Sequence, residues 1–184
     1  MIRLLALSIL FLGLTSSGAF ADATADRAKI QSMKEKTLTR LYGEKPSVRS
    51  EIENAEGYAV FSSGGVNLIL LSAAYGSGVA HDNKSNRDVY MKMASGGVGI
   101  GLGVKDYRLV FVFKTRKALD QFITHGWDLS GQADAAAKAG VDGAELSEAA
   151  DVIPGVKIYQ MTENGLALQA TIQGTKYWKS DDLN

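Results

Sequence analysis

The chain has 184 residues, 20 of them Lys or Arg and 20 Asp or Glu, with two histidines and no cysteine. Balanced charge gives no reason to expect a nucleic-acid partner. The missing thiols exclude a disulfide framework, thiolate zinc sites and a lipid-modified cysteine behind a leader.

Arg3, the apolar run Leu4 to Leu14 and the small-x-small step Ala19-Phe20-Ala21 have the form of an export signal over residues 1–21. The run is shorter than the ~20 apolar residues of a membrane span. A mature chain from Asp22, periplasmic or secreted and at most peripherally attached to a membrane, is expected. Residues 22–184 then form one domain.

Ile30, Met33, Leu38 and Leu41 recur at helical spacing between Asp26 and Tyr42, and Gly43 ends that helix. Pro46 opens a second, shorter helix carrying Val48, Ile52 and Ala55. Lys29, Lys34, Lys36 and Arg40 on the first helix, with Lys84, Arg87 and Lys92 further on, are candidate contacts to anionic headgroups. Interleaved Glu35, Glu44, Glu51 and Glu53 suit a solvated helix face equally.

From Gly57 the pattern changes to short apolar runs, predicting antiparallel strands with turns at Ser63-Gly64-Gly65, Asp82-Asn83-Lys84 and Lys105-Asp106. Within them, Gly97, Gly99, Gly101 and Gly103 share one strand face and Val98, Ile100, Leu102 and Val104 the other. Bare strand faces accompany close approach of another segment or a ligand. A phosphate-binding loop is disfavoured, because no Gly-Lys-Ser/Thr follows and the chain runs on into the strand Leu109 to Phe113.

Thr115 caps a helix bearing Leu119, Phe122 and Ile123, which Gly126 ends. A second helix is expected from Ser130 to Gly140, then an acidic surface loop, then a hairpin of Val156 to Met161 and Leu166 to Ile172 around Asn164-Gly165. The fold class is α+β: an antiparallel, glycine-rich curled sheet or partial barrel of about six to eight strands, with N-terminal helices and a helical pair after the main strand block.

Catalytic signatures are sparse. His81 and His125 lack partners at metal-ligand spacing, and no nucleophile elbow surrounds any serine. No metal, cofactor or catalytic residue is expected, which leaves a small hydrolase using one of the histidines as the third choice. Tyr75, Trp127, Tyr177 and Trp178 suit core edges or a bilayer interface.

Four segments together resemble the SYLF domain: Ala55-Glu56-Gly57-Tyr58-Ala59-Val60-Phe61, the step Tyr75-Gly76-Ser77-Gly78, the glycine strand leading to Leu109-Val110-Phe111-Val112-Phe113, and Ala118-Leu119-Asp120-Gln121-Phe122 with Gly126-Trp127. Asn164-Gly165-Leu166 and Gly174-Thr175-Lys176 are similar to that family's closing hairpin. The resemblance implies a compact domain that binds phospholipid or phosphoinositide-like headgroups without catalysis, and actin only by analogy with eukaryotic relatives. Where the family commonly has Pro and then a Lys-Ala-Gly step, this chain has Ser62 and then Val66, Asn67 and Leu68. That strand is more apolar, which favours a hydrophobic ligand or an envelope protein partner. The expected function is therefore non-enzymatic lipid binding at a membrane surface, with an envelope interaction module as the alternative.

Overall fold

The computed structural model describes residues 17–68, 71–98, 106–129, 153–162, 165–167 and 174–184. Helix α1 spans Ser17–Glu44, and α2 follows at Ser47–Glu53 with Pro46 at its N-cap. The strands are β1 Gly57–Leu68, β2 Leu71–Asp82, β3 Arg87–Val98, β4 Asp106–Phe113, β5 Trp127–Asp128, β6 Val156–Thr162, β7 Gly165–Ala167 and β8 Thr175–Lys179. Helix α3, Arg116–His125, lies between β4 and β5.

All eight strands join one curled antiparallel sheet in the order β5-β8-β3-β2-β1-β4-β6-β7, confirming the α+β expectation. Two expected turns are corrected. Ser63, Gly64 and Gly65 lie inside β1, paired with Gly76, Tyr75 and Ala74. Glycine and serine are tolerated there because the chain continues in ladder pairing, so the chain reverses only between Leu68 and Leu71.

The hairpin expected at Lys105-Asp106 is corrected as well: Lys105 lies outside the described residues, and Asp106 opens β4, which does not pair with β3. β3 pairs with β2 and β8, whereas β4 pairs with β1 and β6. A short polar break between two apolar runs looks the same whether the next strand pairs with its predecessor or passes to a free edge. Here the free edge of β1 receives β4, which places Phe111 against Phe61. Gly97 belongs to β3, while Gly99, Gly101 and Gly103 and the helix expected after Ser130 lie outside the described residues.

Helices cover both faces of the sheet, which explains the unbroken apolar run Leu109 to Phe113. On one face Phe61, Phe111, Phe113, Phe122, Trp127 and Tyr177 form a cluster, with Ala118, Leu119 and Phe122 of α3 pressed into it. Thr115 Oγ1 accepts from Ala118 N, and Gly126 closes α3 at φ 69°, a conformation that favours glycine. A Cβ at Gly78 would overlap the Val60 carbonyl and the Phe61 ring, so glycine in β2 makes room for the cluster.

On the other face α1 and α2 pack Leu38, Leu41, Val48 and Ile52 against Val60, Val110, Val112, Tyr159 and Met161. Towards the N-terminal half of α1, Ile30 meets Val79 and Leu183. Among the described residues, no helix is long and apolar enough to cross a membrane.

Candidate functional site

Side chains on the α1 face form rows across the strands. Val60, Val79 and Tyr90 are cross-strand neighbours and lie near α1. The next row runs Arg108, Ser62, Ser77, Lys92, Trp178 through the β4, β1, β2, β3 and β8 register. Most of that row forms the floor of a cleft of about 590 Å³, walled by Lys29, Ile30 and Met33 of α1 and rimmed by Tyr75. This volume lies within the range of small-molecule sites. Tyr75 is 70% exposed, the one large hydrophobic so open to solvent among the described residues.

An ion network holds α1 in place beside the cleft. The Asp88 carboxylate accepts from Gln31 Nε2 at 2.7 Å and Lys34 Nζ at 3.2 Å, and its other oxygen meets His81 Nδ1 at 2.7 Å. Burial pushes the Asp88 carboxyl up, but the hydrogen bonds from His81 and Gln31 and the Lys34 charge outweigh it and hold the group at about 2. Nearby Tyr58 is pushed up to about 12, first by burial and then by the Asp88 charge.

Helix α2 is tied down separately: Glu51 accepts from Lys157 at 3.0 Å and Tyr159 at 2.7 Å. The C-terminal segment straps the opposite end. Asn184 exchanges two hydrogen bonds with the Tyr90 backbone, at 2.9 and 2.8 Å, and Arg27 Nε donates to the Leu183 carbonyl at 2.9 Å.

The basic residues singled out from sequence separate in space. Lys29 and Lys92 meet at the cleft, each carrying a carboxylate: Asp26 at 2.9 Å and Asp182 at 2.7 Å. Lys34 is only 12% exposed and serves the Asp88 network. Lys36 is exposed on α1, and Arg40 pairs with Glu44 at 2.8 Å one turn on. Lys84 lies in the β2–β3 turn and Arg87 opens β3, both exposed. His81 belongs to the Asp88 network, and His125 is exposed at the end of α3.

Sequence reasoning passed over Arg108 and Ser77. Their place beside Ser62 and Lys92 follows from strand register, and no local spacing encodes that. Arg108 Nε is buried without a hydrogen-bond partner among the described residues. The aromatic pair Tyr177-Trp178 divides between the faces: Tyr177 is buried in the α3 cluster and Trp178 faces the cleft.

A family model described as "Ysc84: Las17-binding protein actin regulator" matches residues 94–184, which include Arg108, Trp178 and all of α3. "Beta cell expansion factor A" of Aeromonas veronii is 39% identical over 157 residues, covering 85% of this chain. The match takes in 58% of that relative, so this chain spans little more than half its length. On the family match over residues 94–184 and the 39% identity to that relative, the chain belongs to the Ysc84, or SYLF, family.

Proposed function

We propose that this chain is a non-enzymatic lipid-binding module that attaches peripherally to anionic membrane surfaces through the cleft beside α1. The observation that carries this reading is one site combining Ile30, Met33 and Trp178, an exposed Tyr75 and the two lysines Lys29 and Lys92. Aromatic rings with a polar edge suit the headgroup level of a bilayer, and lysines near it are attracted to anionic lipid. Export to the cell envelope, expected from residues 1–21, would bring the module to such a surface.

Vesicle co-sedimentation tests the proposal. Phosphatidylglycerol vesicles should retain the protein at low salt, phosphatidylcholine vesicles should retain much less, and added salt should release it. The double change Lys29→Glu, Lys92→Glu should weaken retention by about tenfold. Reversing Lys34 would be a poorer test, because it breaks the Asp88 network as well. Equal retention on both lipids, unaffected by salt or by the double change, would overturn the reading.

The exposed Tyr75 also favours a second reading, an envelope protein partner seated on the same rim. The family description names Las17 binding and actin regulation for its own members. Tyr75-dependent capture of one envelope protein, with no retention on vesicles, would support it.

A further inference from the structure

We propose that Met33 is a site of reversible oxidation, at which a peroxide turns the thioether into a sulfoxide and so loosens α1 from the sheet beside the cleft. The chain has no cysteine, so its five methionines hold all of its sulfur and no thiol competes for the oxidant.

Exposure singles out Met33 among them. Met91, Met93 and Met161 are 0%, 1% and 2% exposed, whereas Met33 is half-buried on α1 and lines the wall of the cleft. Met93 borders the cleft as well, but it is packed into the cluster under α3. Met1 lies outside the described residues. An oxidant arriving from solvent therefore meets one open thioether among the described residues.

The position of that sulfur gives it leverage. Met33 packs against both apolar clusters of the α1 face, the one around Leu38 and Leu41 and the one joining Ile30 to Val79 and Leu183. A flexible, polarizable thioether fills a seam between two clusters well, and a polar sulfoxide does not.

The hydroxyl beside it sharpens the conflict. Thr37 Oγ1 donates to Met33 Sδ at 3.6 Å, one turn along α1, and Thr37 is fully buried. A thioether is a weak acceptor. A sulfoxide oxygen is a strong one, so it either follows Thr37 and brings a polar group into the seam, or turns to the cleft and takes the side chain out of both clusters. Either way the seam under α1 loses apolar contact.

The step balances with hydrogen peroxide as the oxidant. A sulfur lone pair attacks one peroxide oxygen, the O–O bond breaks, and the other oxygen leaves as water with the transferred proton. Sulfur is oxidised by two electrons and the peroxide is reduced by two. A dithiol used by methionine sulfoxide reductases reverses it, releasing the oxygen as water and becoming a disulfide.

Limited peroxide treatment of the full chain, followed by peptide mass mapping and amide exchange, tests the proposal. Met33 should gain one oxygen at least about tenfold faster than Met91, Met93 or Met161. Exchange should then rise over the Ile30 to Leu38 stretch of α1 while α3 keeps its protection, and the two epimer-specific reductases with a dithiol should reverse the rise. Met33→Leu, compared with itself before treatment, should show no peroxide-induced change in exchange. Met33→Gln, which carries a polar group permanently, should show the looser α1 without peroxide. Equal oxidation of all four methionines in the folded chain, a Met33 sulfoxide with α1 exchange unchanged, or a Met33→Leu protein that loosens under peroxide as the native chain does would overturn it. Loss of vesicle retention on oxidation is expected too, and that arm alone rests on the membrane reading. If oxidation at Met33 loosens α1 in a protein that vesicles do not retain even before treatment, the membrane reading fails and this inference stands.

Discussion

The two faces of the sheet are built from the same strands and solve different problems. On the α3 face, Phe61, Phe111, Phe113, Phe122, Trp127 and Tyr177 meet with ring centroids 4.6 to 6.5 Å apart. Adhesion there is apolar, continuous and closed. On the α1 face, apolar packing under Leu38 and Leu41 gives way to carboxylates that fasten helices at chosen points, Asp88 for α1 and Glu51 for α2. A helix held at points leaves room beside it, and the cleft occupies that room.

The largest break in this contrast should come from the closed face. Phe111 is fully buried and touches five other rings, Phe61, Phe113, Phe122, Trp127 and Tyr177. Phe111→Ala should cost about 3–5 kcal/mol in denaturant unfolding. A loss below about 1 kcal/mol would mean that the cluster is looser than its geometry.

Asp88→Asn should cost less, about 1–3 kcal/mol, since it removes the charge facing Lys34 and one of the two oxygens that serve Lys34, Gln31 and His81. Its effect should be local: faster amide exchange in α1, with protection of α3 unchanged. Exchange rising equally in both helices would show that the faces are not separately held.

Acid should act through the same carboxylates. Asp88 and Asp82 are both held at about 2 in the folded protein, below their usual 3.8. For Asp82, burial pushes up and is outweighed by hydrogen bonds from Ser85, Arg116 and the Lys84 backbone. The unfolded chain therefore binds protons first as the pH falls. The stabilisation is complete above about pH 5 and is lost between about pH 4 and 2, on the order of 1–2 kcal/mol for Asp88. Asp88→Asn should flatten that part of a stability profile, and an unchanged slope would remove Asp88 from the explanation.

The smallest effect on stability belongs to the cleft rim. Tyr75→Ser should shift unfolding by no more than about 0.5 kcal/mol, because the ring is exposed. Vesicle retention should nevertheless fall. Weaker stability with full retention would place Tyr75 in the fold and outside the site.

Local chemistry made much of this fold legible in the sequence. Pro46, Thr115 and Gly126 mark helix ends because caps act within a few residues, and the run Leu109 to Phe113 signals burial on both faces. Strand partners were harder to read. Ser63-Gly64-Gly65 has turn composition yet lies within a ladder, and the passage from β3 to β4 depends on which edges are free. The site suffered most, since Ser62, Ser77, Lys92 and Trp178 are distant in sequence and become neighbours only through register. Lys34 shows the converse: a helix-surface lysine by spacing is drawn inward by Asp88, 54 residues away.

The chain has two tryptophans, Trp127 in the aromatic cluster and Trp178 in the cleft. Replacing Trp127 with Phe leaves Trp178 as the sole reporter of the α1 face. If amphiphiles dock in the cleft, phosphatidylglycerol vesicles should shift its emission to shorter wavelength, and brominated acyl chains should quench it. Sedimentation with those vesicles while Trp178 emission stays unshifted and unquenched would contradict docking at this site.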